Sequence, residues 1–144
     1  MSPPDLLYAI RDFREGPLGI ANIKKLLNRV ADINEIINVF YGTALGVAVY
    51  NGSETNVSLL LRRGADINVV GGEFGTALGM AVYKEREEII SLLLDRGADI
   101  NVVGGKYGTA LGVAAFFRSE KIVSLLLDRG ADIQVSFVEG VDRE

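Results

Sequence analysis

"GGEFGTALGMAV" occupies Gly71–Val82, and "GGKYGTALGVAA" occupies Gly104–Ala115. Each has two glycines, a charge, an aromatic, and then Gly-Thr-Ala-Leu-Gly. Glycine clusters can cradle phosphate, so the stretch first invites a nucleotide reading. It lacks the Gly-Lys-Ser/Thr ending of a P-loop, and its glycines are not spaced as G-x-G-x-x-G. Its recurrence points elsewhere. Gly-Thr-Ala-Leu-Gly begins at Gly42, Gly75 and Gly108, and Gly-Ala-Asp-Ile begins at Gly64, Gly97 and Gly130, a period of 33 residues in both cases. A catalytic loop is seldom copied at a fixed period, whereas a stacked supersecondary unit is.

Within one unit, Thr76 is a candidate helix cap, and Ala77–Lys84 is short and apolar. A polar corner, Glu85–Glu87, follows. Ile89, Ile90, Leu92, Leu93 and Leu94 then form a wide apolar face at helical spacing. Gly97 suits the left-handed residue that closes a helix, and Arg96 precedes it where a cation favours the helix dipole. Ile100–Val103 is β-prone, and Gly104-Gly105 signals a tight turn. Each unit therefore reads as helix, turn, helix and hairpin-like finger. Ser53 and Ser119 are further candidate caps, while the third unit has none between Lys84 and Glu88. Helices of about ten residues do not persist alone in water, so the units must stack.

"KKLLNRVADIN" (Lys24–Asn34) matches "LLLRRGADIN" (Leu59–Asn68), with Val30 in place of Gly64. It marks a divergent first unit, with a helix from Asp5 through Phe13 and a connection containing Gly16-Pro17. The chain of 144 residues divides into units at about 1–34, 35–68, 69–101 and 102–134, with a tail at 135–144, forming one domain. The first finger, "NEIINVFYG" (Asn34–Gly42), is one residue longer than "NVVGGEFG" (Asn68–Gly75) and lacks the glycine pair.

Composition narrows the function. The chain is 49% hydrophobic and 24% charged, enough to pack a core. It has no cysteine and no histidine, which removes disulfides, thiolate zinc sites and the commonest general base. A net charge of −4 and a pI near 4.9 oppose nucleic-acid binding. No apolar run approaches the ~20 residues of a membrane span, and no leader pattern opens the chain. These features point to an intracellular, cytoplasmic setting without membrane contact. Asp66, Asp99 and Asp132 recur in register; they read as turn-forming residues rather than a hydrolase pair or calcium row. Glu85, Glu87 and Glu88 read as a solvated helix start. The serines have no histidine to activate them.

A 33-residue unit with Thr-x-Leu opening one helix and Leu-Leu-x-x-Gly-Ala-Asp-Ile-Asn closing the next resembles the ankyrin repeat, over nearly the whole chain. The "GGxYGTAL…LLLDRGADIN" variant is similar to the arrays of large fungal ankyrin-repeat proteins. The resemblance implies an all-α solenoid with a concave groove and short hairpin-like fingers. It also implies a protein-binding scaffold, not an enzyme, with no cofactor or metal. The asparagines Asn34, Asn68 and Asn101 can be hydroxylated in such proteins; here turn hydrogen bonding is the simpler expectation.

Departures from the family's Thr-Pro-Leu-His are Ala44, Ala77 and Ala110 for proline, and Gly46, Gly79 and Gly112 for histidine. The histidine's tie between units is thereby put in doubt. Each mid-helix glycine costs about 0.5–1 kcal/mol unless close approach requires it, and its recurrence favours close approach of the neighbouring helix. The Gly-His corner becomes Gly52-Ser53, Glu85-Arg86 and Arg118-Ser119. Asn56, where other units have Ile89 and Ile122, either bonds locally or leaves its helix start loose.

The resemblance places partner contacts on the groove and finger tips. Tyr50, Tyr83 and Phe116 recur at 33 residues, with Asn51, Lys84 and Phe117 following them. Phe40, Glu73 and Lys106 lie at the finger tips. The expectation is an aromatic stripe formed by Tyr50, Tyr83, Phe116 and Phe117. Tyr41, Phe74 and Tyr107 recur just before Gly-Thr and read as packing at the finger base. Alternatives to a protein-binding scaffold are a self-assembly module stacking end to end as a homo-oligomer, or a regulatory fragment of a larger multidomain enzyme or receptor. After Ile133 the pattern stops while the last unit remains apolar. Three arrangements answer that: the tail folds back, further units belong there, or two chains meet.

Overall fold

The computed structural model describes residues 32–36 and 39–133. The expected helix at Asp5–Phe13, the Gly16-Pro17 connection and the tail after Ile133 lie outside the described residues. Among the described residues six helices appear in three pairs: α1 (Ala44–Asn51) with α2 (Glu54–Arg62), α3 (Ala77–Tyr83) with α4 (Glu87–Asp95), and α5 (Ala110–Phe116) with α6 (Glu120–Asp128). Each first helix packs on its own second helix, and the first helices pack on one another, α1 on α3 and α3 on α5. The fold is an all-α repeat solenoid. Among the described residues no strand forms; the finger of the third unit carries one isolated bridge, Gly72 to Gly75. No described helix is long and apolar enough to cross a membrane.

The ends of the helices follow from the repeated residues. The Thr76 and Thr109 hydroxyls accept from the Gly79 and Gly112 N–H groups at 3.4 and 3.1 Å. Ser53 accepts from Asn56 N–H at 3.1 Å. Ser119, expected to do the same, makes no capping bond. The corner does not need one. Its N–H donates to the Ala114 carbonyl at 2.9 Å, as Arg86 N–H donates to Ala81 at 2.9 Å without any hydroxyl. The second helices close identically. Gly97 takes φ +97°, its N–H donates to Leu94, and Ala98 N–H donates to Leu93. Those two bonds satisfy carbonyls that a helix end would otherwise orphan.

The core is a column of aliphatic side chains. Leu60, Leu93 and Leu126 are fully buried, and Leu45, Leu78 and Leu111 are nearly so. Gly79 is a close-approach residue, but its neighbour is not the adjacent helix. A Cβ there would overlap the Phe74 carbonyl oxygen, five residues earlier, and one at Gly46 would overlap Tyr41. The base of each of these fingers therefore runs directly over its own first helix, and glycine leaves it room.

The doubted tie between units has two replacements. Asp66, Asp99 and Asp132 N–H donate to the side-chain carbonyls of Asn34, Asn68 and Asn101 at 2.7, 2.8 and 2.8 Å. Each asparagine thus bonds the following unit, not only its own turn. The Asp66 and Asp99 carboxylates accept from Asn68 and Asn101 N–H, holding the turns as expected. Arg86 supplies the second tie. Its guanidinium donates to the Tyr50 carbonyl at 3.1 Å, at the negative end of α1. Exposed pairs Lys121–Glu87 (3.0 Å) and Arg129–Asp95 (2.7 Å) join α6 to α4. The hydrogen bond and charge of Glu87 raise the Lys121 pKa above its ordinary value. Asn56 is fully buried, and its amide finds no partner among the described residues.

Candidate partner-binding surface

The C-terminal ends of α1, α3 and α5 carry Tyr50, Tyr83 and Phe116 in register because the period of the units matches their stacking. Asn51, Lys84 and Phe117 come one residue later. The fingers bring Phe40, Glu73 and Lys106 into a second row beside them. Glu73 N–H donates to the Phe40 carbonyl at 3.0 Å, and Lys106 N–H donates to the Glu73 carbonyl at 2.8 Å. Successive tips are thus pinned by backbone bonds.

The two aromatic series, separate in the sequence, form one band. Tyr50 packs edge-on against Tyr41 at 5.1 Å. Tyr83 stacks on Phe74 at 4.0 Å and 13°. Phe116 lies on Tyr107 at 4.5 Å. Each helix-end ring therefore rests on the finger-base ring of its own unit, not side by side with its copies. Phe40 bridges two units, with centroids 6.0 Å from Tyr50 and 6.4 Å from Tyr83. Phe74 is buried, as a finger-base packing residue should be.

Between units a second rule holds. The helix-end rings Tyr50 and Tyr83 are each covered by a residue of the following unit. Lys84 Nζ sits over Tyr50 at 4.3 Å, and Phe117 meets Tyr83 at 5.2 Å. Tyr50 and Tyr83 are consequently half-buried; Asn51, Lys84 and Glu73 are half-buried too, whereas Lys106 is exposed. Phe116 and Phe117 are 58% and 41% exposed. The structure thus gathers Phe40, Tyr50, Tyr83, Lys84, Phe116 and Phe117 into one continuous surface, with Glu73 and Lys106 along its finger edge.

Arg86 escaped the sequence reading. Its guanidinium lies where a Gly52 Cβ would stand, 2.7 Å from that position, so the preceding unit's glycine makes its room. The pairing of Gly52 with a residue one unit further on was the available signal. The inter-unit role of the asparagines was also missed, because Asp-Ile-Asn reads as a local turn.

A family model described as ankyrin repeats (3 copies) matches residues 8–104 and 45–136 of the chain. A comparison with curated proteins finds no match.

Proposed function

The chain belongs to the ankyrin-repeat family, and from that premise we propose that its aromatic band and finger row bind a protein partner. Ankyrin repeats generally serve as protein–protein interaction modules and are generally non-catalytic. The observation that carries the reading is the exposed end of the band. Two phenylalanines stand 58% and 41% exposed beside the exposed Lys106. Contiguous exposed aromatics mark interaction sites, and such rings supply much of the energy at binding hot spots. Phe40, Tyr50, Asn51, Glu73, Tyr83 and Lys84 extend the surface toward the first finger. Tyr83 contributes chiefly by holding the band together, since its ring is already stacked.

The test is capture of partners from native extract by the wild-type chain, followed by affinity measurement on the partner identified. Phe117→Ala and Lys106→Glu should each weaken binding by about 1–3 kcal/mol; Lys106→Glu should leave urea stability nearly unchanged, whereas Phe117→Ala also loses its packing on Tyr83 and Tyr107. Retained affinity in both variants would move the binding surface elsewhere on the solenoid.

A further inference from the structure

On the reading that the aromatic band and fingers are the binding surface, we propose that the partner meets them with an acidic linear segment. An apolar side chain of that segment sits on the exposed rings of the last unit, and carboxylates beside it meet Lys106 and Lys84.

The seat is a cluster of three rings. Tyr107, Phe116 and Phe117 pack with centroids 4.5, 5.4 and 5.0 Å apart, and both phenylalanines are exposed. A phenylalanine ring has no polar atom to satisfy, so it favours an apolar side chain, whose burial removes both surfaces from water.

The charge beside the seat is positive. Lys106 Nζ lies over the Tyr107 ring at 5.9 Å, and Lys84 Nζ over Tyr50 at 4.3 Å. Among the described residues neither lysine pairs with a carboxylate. Glu73 is the carboxylate of the finger row, and one carboxylate against two ammonium groups leaves the surface positive in a chain whose net charge is −4. The exposed corner residues in register, Glu85 and Arg118, cancel each other. A cationic partner is disfavoured twice. The Tyr50 and Tyr107 faces that attract a cation already carry this chain's own ammonium groups, and those groups repel like charge.

The second helices carry the opposite sign. The open cleft between α2 and α4 is lined by Glu54, Glu87, Glu88, Ser91, Leu92 and Asp95. Of the cations at hand, Lys121 and Arg129 are held by Glu87 and Asp95 at 3.0 and 2.7 Å. An acidic segment is repelled there and drawn to the band, so the charge layout selects the face as well as the ligand.

Selection of random linear peptides, displayed on phage, against the full chain tests this. The enriched peptides should carry Asp and Glu around a Leu, Ile, Met or Phe, and their binding should weaken as salt rises. The best of them, synthesised, should bind Lys106→Glu at least about tenfold more weakly than wild type. Its counterpart with Lys in place of each Asp and Glu should reverse that order. Lys106→Arg should retain binding, and so should Glu88→Lys in the acidic cleft. Circular dichroism checks that each variant is folded. Enriched peptides that are neutral or basic, yet lose affinity to Phe117→Ala, overturn the acidic ligand and leave the band as the binding surface. Acidic peptides indifferent to both Phe117→Ala and Lys106→Glu overturn both readings. A charge-reversed peptide that still prefers wild type, or a selection that enriches nothing, overturns the acidic segment as well.

Discussion

The third and last units differ little in sequence and in helix length, yet they differ sharply in burial. α3 and α5 each run for seven residues from a threonine cap, and α4 and α6 each run for nine. Both second helices close on a left-handed glycine, Gly97 and Gly130. Ile90 is nonetheless sealed while Val123 is half-open, and Tyr83 is half-covered while Phe116 projects. The local pattern sets the shape of a unit. Its neighbours supply the burial. A solenoid unit is thus complete only between two others, and the last described unit keeps more apolar surface exposed than the third.

The largest expected effect sets the two units directly against each other. Ile90→Ala should cost about 2–5 kcal/mol in urea unfolding, as buried truncations do. Val123→Ala should cost under about 1 kcal/mol, close to a surface change. An Ile-to-Val difference alone is worth only about 0.5–1.5 kcal/mol, so side-chain identity would not account for the gap. Equal losses would break the comparison.

Gly79→Ala should destabilise by about 1–3 kcal/mol, because the methyl meets the Phe74 carbonyl and the finger must move. A raised urea midpoint would mean that the glycine merely weakens its helix. Asn56→Ile restores the residue type of the third and last units and should stabilise by about 1–2 kcal/mol, by removing a buried amide without a partner among the described residues. A loss of stability would show that its amide is satisfied.

Two smaller effects separate local from neighbour-borne energy. Asn68→Ala and Asn101→Ala each remove one bond to the following unit and should cost about 0.5–1.5 kcal/mol. Loosening from Asn101→Ala should be confined to the last unit, as followed by hydrogen exchange along α6. Glu85 and Arg118 hold φ +52° and +58°, where Gly52 holds +78° in the second unit. Glycine at either position should stabilise by up to about 1 kcal/mol. The gain should be equal in the two units, since this strain is local. Unequal gains, again in urea midpoint, would show that neighbours set it too.

The period made the stacking legible, and the Thr and Gly punctuation placed the helix ends within about two residues. Contacts that depend on the finger's path were not legible. Tyr41 with Tyr50, Phe74 with Tyr83, and Tyr107 with Phe116 are each nine residues apart, matching neither helical nor strand periodicity. Only the fold-back of the finger brings them together. The same path explains Gly79: recurrence implied a close approach, but nothing in the sequence indicates that a carbonyl five residues earlier makes it. Arg86 reaches the preceding unit through space opened by Gly52, so its role depends on two units at once.

Hydrogen exchange of α4 and α6 in dilute solution addresses the central claim, that neighbouring units supply the burial, most directly. In dilute solution α6 amides should exchange at least about tenfold faster than those of α4, since local opening tracks missing neighbours. Equal protection of the two helices would contradict the account, because burial would then not depend on a following unit.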